Sequence, residues 1–173
     1  MNNKKLISLL PLKTKRLVIR PTLIEDVDLI SKMDKQEITQ AFLGGIKNKT
    51  KEERITFLKK KANRMLTICL KDGNPIGFLG LNTDETNINA ELSYIFDYDY
   101  CNKGYCTEAC EKLIDIGFNK LKLNKIYANT IEGNNSSKRV LEKLNFKLEG
   151  VRRKDNREFL DYSISKSEYL KKR

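Results

Sequence analysis

The sequence predicts an α/β (α+β) domain, one mixed sheet covered by amphipathic helices, and two observations carry the prediction. Short apolar runs bounded by Gly, Pro, Asn or Asp read as strands, whereas Thr-x-x-Glu pairs open segments whose apolar residues recur at three and four. In addition, a strand at 91–96, a helical stretch and a strand at 125–130 follow one another, which implies a parallel pair joined by a right-handed crossover. The 173 residues suffice for one sizeable core, so 1–173 is read as a single domain.

In chain order, 16–20 (RLVIR) is the first expected strand. Thr22 with Glu25 forms a capping box for a helix through Val27, Ile30 and Met33. Thr50 with Glu53 forms another, for a helix over 51–65 carrying Ile55, Leu58, Ala62 and Met65, and Gly44 and Gly45 break the chain between the two. Runs at 65–70 and 76–81 flank KDGNP, whose Asp-Gly turn marks a hairpin. The 91–96 strand extends that antiparallel sheet, with Leu92, Tyr94 and Phe96 on one face and Glu91, Ser93 and Ile95 on the other. A helix over 104–121 presents Ala109, Leu113 and Ile116 on one side. After the 125–130 strand, Asn134 or Asn135 caps a helix over 136–144, and 146–153 with 159–165 forms a closing hairpin.

Composition narrows the class. Apolar content of 39% with 33% charged residues is ordinary for a soluble globular protein, and no apolar run approaches a membrane-spanning length. The start, MNNKKLISLLPLKTKRL, has an apolar stretch interrupted by Ser8 and Pro11 and no small-residue cleavage site, so the expected location is the cytoplasm. The net charge of +11 attracts polyanions, but its Lys and Arg are scattered through nearly every segment, unlike the aromatic-laced stripe of a nucleic-acid reader. Cys69, Cys101, Cys106 and Cys110 lack metal-ligand spacing, and the chain has no His, so no metal is expected. Three of these thiols flank the turn around Gly104, where a helix N-terminus favours thiolate. Packing as small residues is the simpler reading.

The segment AELSYIFDYDYCNKGYCTEAC is the most informative. A strand there gives way, through Gly104, to a helix, and amides opening a helix are suited to holding phosphate. Neither G-x-x-x-x-G-K-[ST] nor a strand-linked G-x-G-x-x-G is present, which excludes the common nucleotide loops.

The turn from Cys101 to Cys106, followed by Thr107-Glu108-Ala109, is similar to the W-G-K-G-Y-A-T-E-A segment of GNAT acetyltransferases, particularly those like the ribosomal-protein N-terminal acetyltransferases RimJ and RimL. TKRLVIRP, IGFLGL, AELSYIF, NNSSKRVLEKLNFKLEGVRR and DYSISKSEY resemble that family's successive blocks, in order. The resemblance implies a GNAT fold: a strongly twisted mixed sheet of about six to seven strands, splayed between the fourth and fifth, flanked by about four helices, with acetyl-CoA in the opening. It implies that the amides of Asn102, Lys103, Gly104, Tyr105 and Cys106 take the pyrophosphate, with added charge from Lys103, close approach at Gly104 and a hydroxyl from Thr107. Asn134, Ser137 and Lys143 match N-x-x-S and E-K-x-G-F, where the Asn and Ser lie near the pantetheine end, and the Ser137 hydroxyl is placed to donate to the departing thiolate. Cys101, Asn102, Cys106 and Asn145 depart from that family's usual choices; Asn145, in place of glycine, is among the residues that tolerate a left-handed conformation.

Acetyl transfer from a thioester to an amine needs a neutral nucleophile, a donor to the oxyanion and protonation of the thiolate. A bulge is expected to free an amide at Ile95 or Phe96 for the carbonyl. Where many relatives carry a Glu base this chain has Asn129, and Leu141 replaces a tyrosine that some use as acid, which leaves Glu91, Asp155 or Glu158 as base, Glu91 first. An α-amino group with a pKa near 7.7–8.0 is roughly a tenth neutral at pH 7, whereas lysine is neutral in less than about a thousandth of molecules, so a weak base suits a protein N-terminus. The expected partners are therefore acetyl-CoA and an amine acceptor, the N-terminus of a ribosomal protein foremost. A polyamine or antibiotic acceptor, which calls for acid-lined space from Asp97, Asp99 and Glu91, is one alternative; a catalytically silent acyl-CoA binder and an RNA- or ribosome-binding module are others, and a homodimer is left open.

Overall fold

Eight strands lie among the residues that the computed structural model describes, 2–36, 49–61, 64–86 and 88–171. They are β1 (Leu12–Lys13), β2 (Leu17–Pro21), β3 (Leu66–Leu70), β4 (Pro75–Thr83), β5 (Asn89–Phe96), β6 (Lys125–Ile131), β7 (Lys147–Lys154) and β8 (Arg157–Ser165). The sheet order is β1-β2-β3-β4-β5-β6-β8-β7, and β5 with β6 is its parallel pair. The described helices are α1 (Asn2–Ile7), α2 (Val27–Met33), α3 (Lys51–Lys61), α4 (Tyr105–Asn119), α5 (Asn135–Lys143) and α6 (Lys166–Leu170).

The alternation along β5 separates two cores. Leu92 and Phe96, with Tyr94 against them, join a large cluster that includes Ala109, Leu113, Ile116 and Phe118 of α4 and Leu141 of α5. Ile95 points the other way, packing with Phe78 against Val27, Ile30, Met33 and Leu58 of α2 and α3. Each fully buried Leu or Ile of these clusters contributes about 1.5–3 kcal/mol, so the pattern that sets the faces also holds the helices on them. Close approach of α4 to the sheet depends on Gly117, where a Cβ would sit 3.1 Å from Ile126 Cδ1 and Leu81 Cδ2.

The expected core of the architecture is present, with corrections at its edges. The Thr50/Glu53 box forms: the Glu53 amide donates to Thr50 Oγ1 at 3.2 Å and the Thr50 amide to Glu53 Oε2 at 2.7 Å. The Thr22/Glu25 box does not. Thr22 is drawn against β3, its hydroxyl donating to the Met65 carbonyl at 2.8 Å, and Asp26 instead caps the amide of Leu23 at 2.8 Å ahead of a 3-10 turn that leads into α2. Helix α3 is described over Lys51–Lys61, and Met65 is outside any helix; Ala62, Gly44 and Gly45 lie outside the described residues. The expected six to seven strands and four helices become eight and six among the described residues, because α1, β1 and α6 are too short to carry a periodic signal.

After α5, Asn145 has φ 62, with Phe146 N–H bonded to the Leu141 carbonyl and Asn145 N–H to the Glu142 carbonyl, the left-handed helix stop expected of it. No helix among the described residues is long and apolar enough to cross a membrane.

Candidate active site

β5 and β6 pair only at Asn89↔Lys125, Ala90↔Ile126 and Glu91↔Tyr127. Beyond that point β6 stays with β8 through Ile131↔Phe159 while β5 stays with β4 through Gly77↔Phe96, so the two strands part. A cleft of about 560 Å³ occupies the opening, walled by β5, the 101–107 turn, β6 and α5.

Ladder direction decides which strand amides face this cleft. The Asp97 amide bonds to the Ile76 carbonyl on the β4 side, and the Ile88 carbonyl accepts from Asn124 on the β6 side. Alternation then turns the N–H groups of Tyr94 and Phe96 into the opening and that of Ile95 toward Phe78. The expectation that a bulge frees Ile95 or Phe96 is thus corrected. The β4–β5 register runs without a shift, and it is the departure of β6 that leaves the Phe96 amide unpaired by a neighbouring strand, while Ile95 belongs to the ladder and lines the cleft only in passing.

On one wall stands the turn. Asn102 (φ 59) and Gly104 (φ 79) are left-handed, and Gly104 is the N-cap of α4 with no side chain bonded there. The first helical amides, of Tyr105, Cys106 and Thr107, have no intrahelical acceptor and converge with the positive end of a 15-residue helix dipole. Asn102, Gly104, Tyr105, Cys106 and Thr107 line the cleft. Lys103 lies beside it, its ammonium donating to the Asp99 carbonyl at 2.8 Å and lying 5.4 Å over the Tyr100 ring. The preceding loop is anchored by Asp97, 1% exposed, which takes Lys32 Nζ and Gln36 Nε2 at 2.6 Å each, while Lys32 also reaches Asp99 at 2.6 Å. Burial pushes the Cys101 thiol up, and likewise the Cys110 thiol beneath the turn, which favours the packing role over reactivity at both.

Opposite the turn, Asn134 caps α5 by accepting from the Ser137 amide at 3.1 Å. Tyr94 reaches across from β5, its hydroxyl 2.9 Å from Ser137 Oγ. Burial raises the Tyr94 phenol well above its ordinary value, the bond to Ser137 only partly opposing it, so the phenol stays protonated through the physiological range. Asn134, Ser137, Arg139, Val140 and Lys143 form the α5 wall.

Of the three carboxylates named as base, only Glu91 lines the cleft. Its Oε1 accepts from Asn129 Nδ2 at 2.9 Å, so the amide at the family's base position holds the acid of the neighbouring strand. Asp155 sits in the β7–β8 turn with φ 49, and Glu158 is paired with Arg153 at 2.6 Å; neither reaches the cleft. Leu141 is fully buried in the core. Sequence reasoning placed Tyr94 on its face without assigning it a partner, and it missed Asn129 as a holder of Glu91, because both contacts join residues 38 or more positions apart.

The arrangement offers unpaired helix-start amides at one end, a strand amide and a hydroxyl pair midway, and a carboxylate beyond. The model of the acetyltransferase (GNAT) domain matches residues 16–147. A relative from Bacillus licheniformis named "Uncharacterized N-acetyltransferase p20" is 38% identical over 97 residues, 56% of this chain and 54% of that one, so the chain spans about half the length of the curated relatives it matches. Among solved structures, spermidine N-acetyltransferase from Vibrio cholerae in complex with CoA and spermine has a TM-score of 0.78 at 19% identity, covering 91% of this chain and 99% of that one. RimL, a ribosomal L7/L12 alpha-N-protein acetyltransferase, has the same TM-score at 16% identity, covering 90% and 93%. Both likenesses show the fold.

Proposed function

The chain belongs to the GNAT acetyltransferase family, and on that premise we propose that it is a cytoplasmic enzyme that transfers an acetyl group from acetyl-CoA directly to an amine, foremost the α-amino group of a protein N-terminus. The observation that carries the reading is the cleft itself: β5 and β6 part beside a turn whose amides open α4, and Ser137, Tyr94 and Glu91 stand along its length. The residues fit the cosubstrate. Left-handed Asn102 and Gly104 aim the amides of 104–107 at one locus, Lys143 and Arg139 add positive charge on the facing wall, and the unpaired Phe96 amide lies between.

In this reading the Phe96 N–H donates to the thioester oxygen as negative charge develops there. Glu91, held by Asn129, takes the proton lost by the attacking amine, directly or through water. Ser137, oriented by the Tyr94 hydroxyl, donates a hydrogen bond to the departing sulfur, and the thiolate takes its proton from solvent. The acceptor side supports the α-amine over a polyamine. Asp97 is buried and spent on Lys32 and Gln36, Asp99 is spent on Lys32, and neither lines the cleft, which leaves Glu91 where the polyamine alternative called for three acids.

The test is CoA release from acetyl-CoA with ribosomal proteins, N-terminal peptides and a panel of small amines. Turnover with peptides above that with polyamines is the expected outcome. Spermidine as the better acceptor replaces the substrate assignment, and tight calorimetric binding of CoA with no turnover by any acceptor replaces the enzyme with a silent binder.

A further inference from the structure

Arg16 immediately precedes β2, 92 positions from Glu108, and takes no part in lining the cleft. Yet it makes four contacts with the turn and the start of α4 from behind. Its amide donates to Glu108 Oε1 at 2.8 Å, its Nε to Glu108 Oε2 at 2.6 Å and its Nη1 to the Lys103 carbonyl at 2.9 Å, while the guanidinium lies 4.4 Å over the Tyr105 ring. Thr14 adds its hydroxyl to Glu108 Oε1 at 2.6 Å. Burial alone would raise the Glu108 carboxyl, but Thr14 and Arg16 hold it below its usual value, so it stays an anion bound to Arg16.

We propose that Arg16 is the positioning residue of the phosphate turn, an assignment that rests on the acetyl-CoA reading of the cleft. Two physical needs meet in it. The turn contains the left-handed residues Asn102 and Gly104, types that adopt other conformations as readily, so its shape gains from being held, and the Lys103 carbonyl between them is the group that Arg16 grips. The second need is electrostatic. Glu108 occupies the first turn of α4, beside the amides that receive a pyrophosphate, and its charge would repel that ligand unless neutralised on the far side. A planar guanidinium does both at once, because its fork engages carboxylate and carbonyl together while its face covers Tyr105. The space fits the guanidinium closely: a Cβ at Gly104 would lie 3.3 Å from Arg16 Nη2.

The experiment compares two donors, acetyl-CoA and S-acetylpantetheine, which carries the thioester but no pyrophosphate, and adds calorimetric titration of CoA as a readout apart from turnover. Arg16→Gln is expected to weaken CoA binding by about tenfold or more and to lower kcat/KM for acetyl-CoA at least about ten times as much as for S-acetylpantetheine. Arg16→Lys is expected to behave like Arg16→Gln, since one ammonium cannot grip Glu108 and Lys103 together. Equal losses with both donors, CoA affinity unchanged, or full rescue by lysine overturns the assignment. If Arg16→Gln does not melt cooperatively, Arg16→Lys carries the same comparison. Wild-type protein that binds no CoA overturns the acetyl-CoA reading as well, whereas wild-type binding with an indifferent variant overturns Arg16 alone.

Discussion

The Asp26 carboxylate is 2% exposed and takes Arg20 through both oxygens at 2.7 and 2.8 Å, the Leu23 amide at 2.8 Å and the Thr67 hydroxyl at 2.7 Å. Burial alone would raise it, but these partners hold it below its usual value. With the folded pKa depressed, its stabilisation is fully present above the unfolded value of about 3.9 and is lost as pH falls through the folded one. Asp26→Asn should therefore cost about 3 kcal/mol at pH 7 in urea unfolding, by leaving the Arg20 charge poorly matched, and the gap to wild type should shrink below about pH 4. A gap that is constant with pH would show that packing, not ionisation, carries the site. At the cleft, Ser137→Ala should lower kcat by about 100-fold, and Tyr94→Phe less, with KM for acetyl-CoA nearly unchanged in both. A change confined to KM would assign the pair to binding instead. Asp26 and Ser137 differ in legibility. Ser137 stands three residues from Asn134 in a recognisable local pattern, whereas Arg20 and Thr67 are brought to Asp26 from β2 and β3 by folding.

Helix starts do the chemistry-bearing work at the next scale. Helix α4 begins at a left-handed glycine with free amides, and α5 at an asparagine whose side chain satisfies the amide of Ser137. Gly104→Ala forces a side chain into φ 79 and against Arg16, and should cost about 1–2 kcal/mol in thermal unfolding together with a loss of CoA affinity by calorimetry. Affinity retained at lower stability would separate the turn's shape from its binding role. Asn134→Ala should cost about 1 kcal/mol through the lost cap. Both elements were readable from periodicity, Gly and Asn, but the 3-10 entry to α2 was not. Thr22 satisfies the local capping rule in sequence, and a carbonyl 43 residues away outcompetes it.

Over the whole molecule, 34 basic residues against 23 acidic ones create a positive field in which a polyanionic donor is steered and held. Raising ionic strength from about 0.05 to about 0.5 M should weaken CoA binding in calorimetry, because the screening length falls to a few ångströms. An affinity indifferent to salt would place all of the attraction in uncharged contacts.

By itself the sequence determined seven of the eight described strands, the main helices and their buried faces, and it marked the glycine turn at 101–106, since these follow from local periodicity, turn chemistry and motif spacing. It also put Glu91 and Ile95 on one face of β5 and Tyr94 and Phe96 on the other. Only the tertiary structure decided which strand amide faces the opening, which of Glu91, Asp155 and Glu158 reaches it, that Tyr94 meets Ser137, and that Arg16 braces the turn. The physical reason is one of range. Propensity and pattern act over a few residues, whereas the parting of β5 from β6 and the contacts across it join segments tens of residues apart, and register, not composition, sets where they meet.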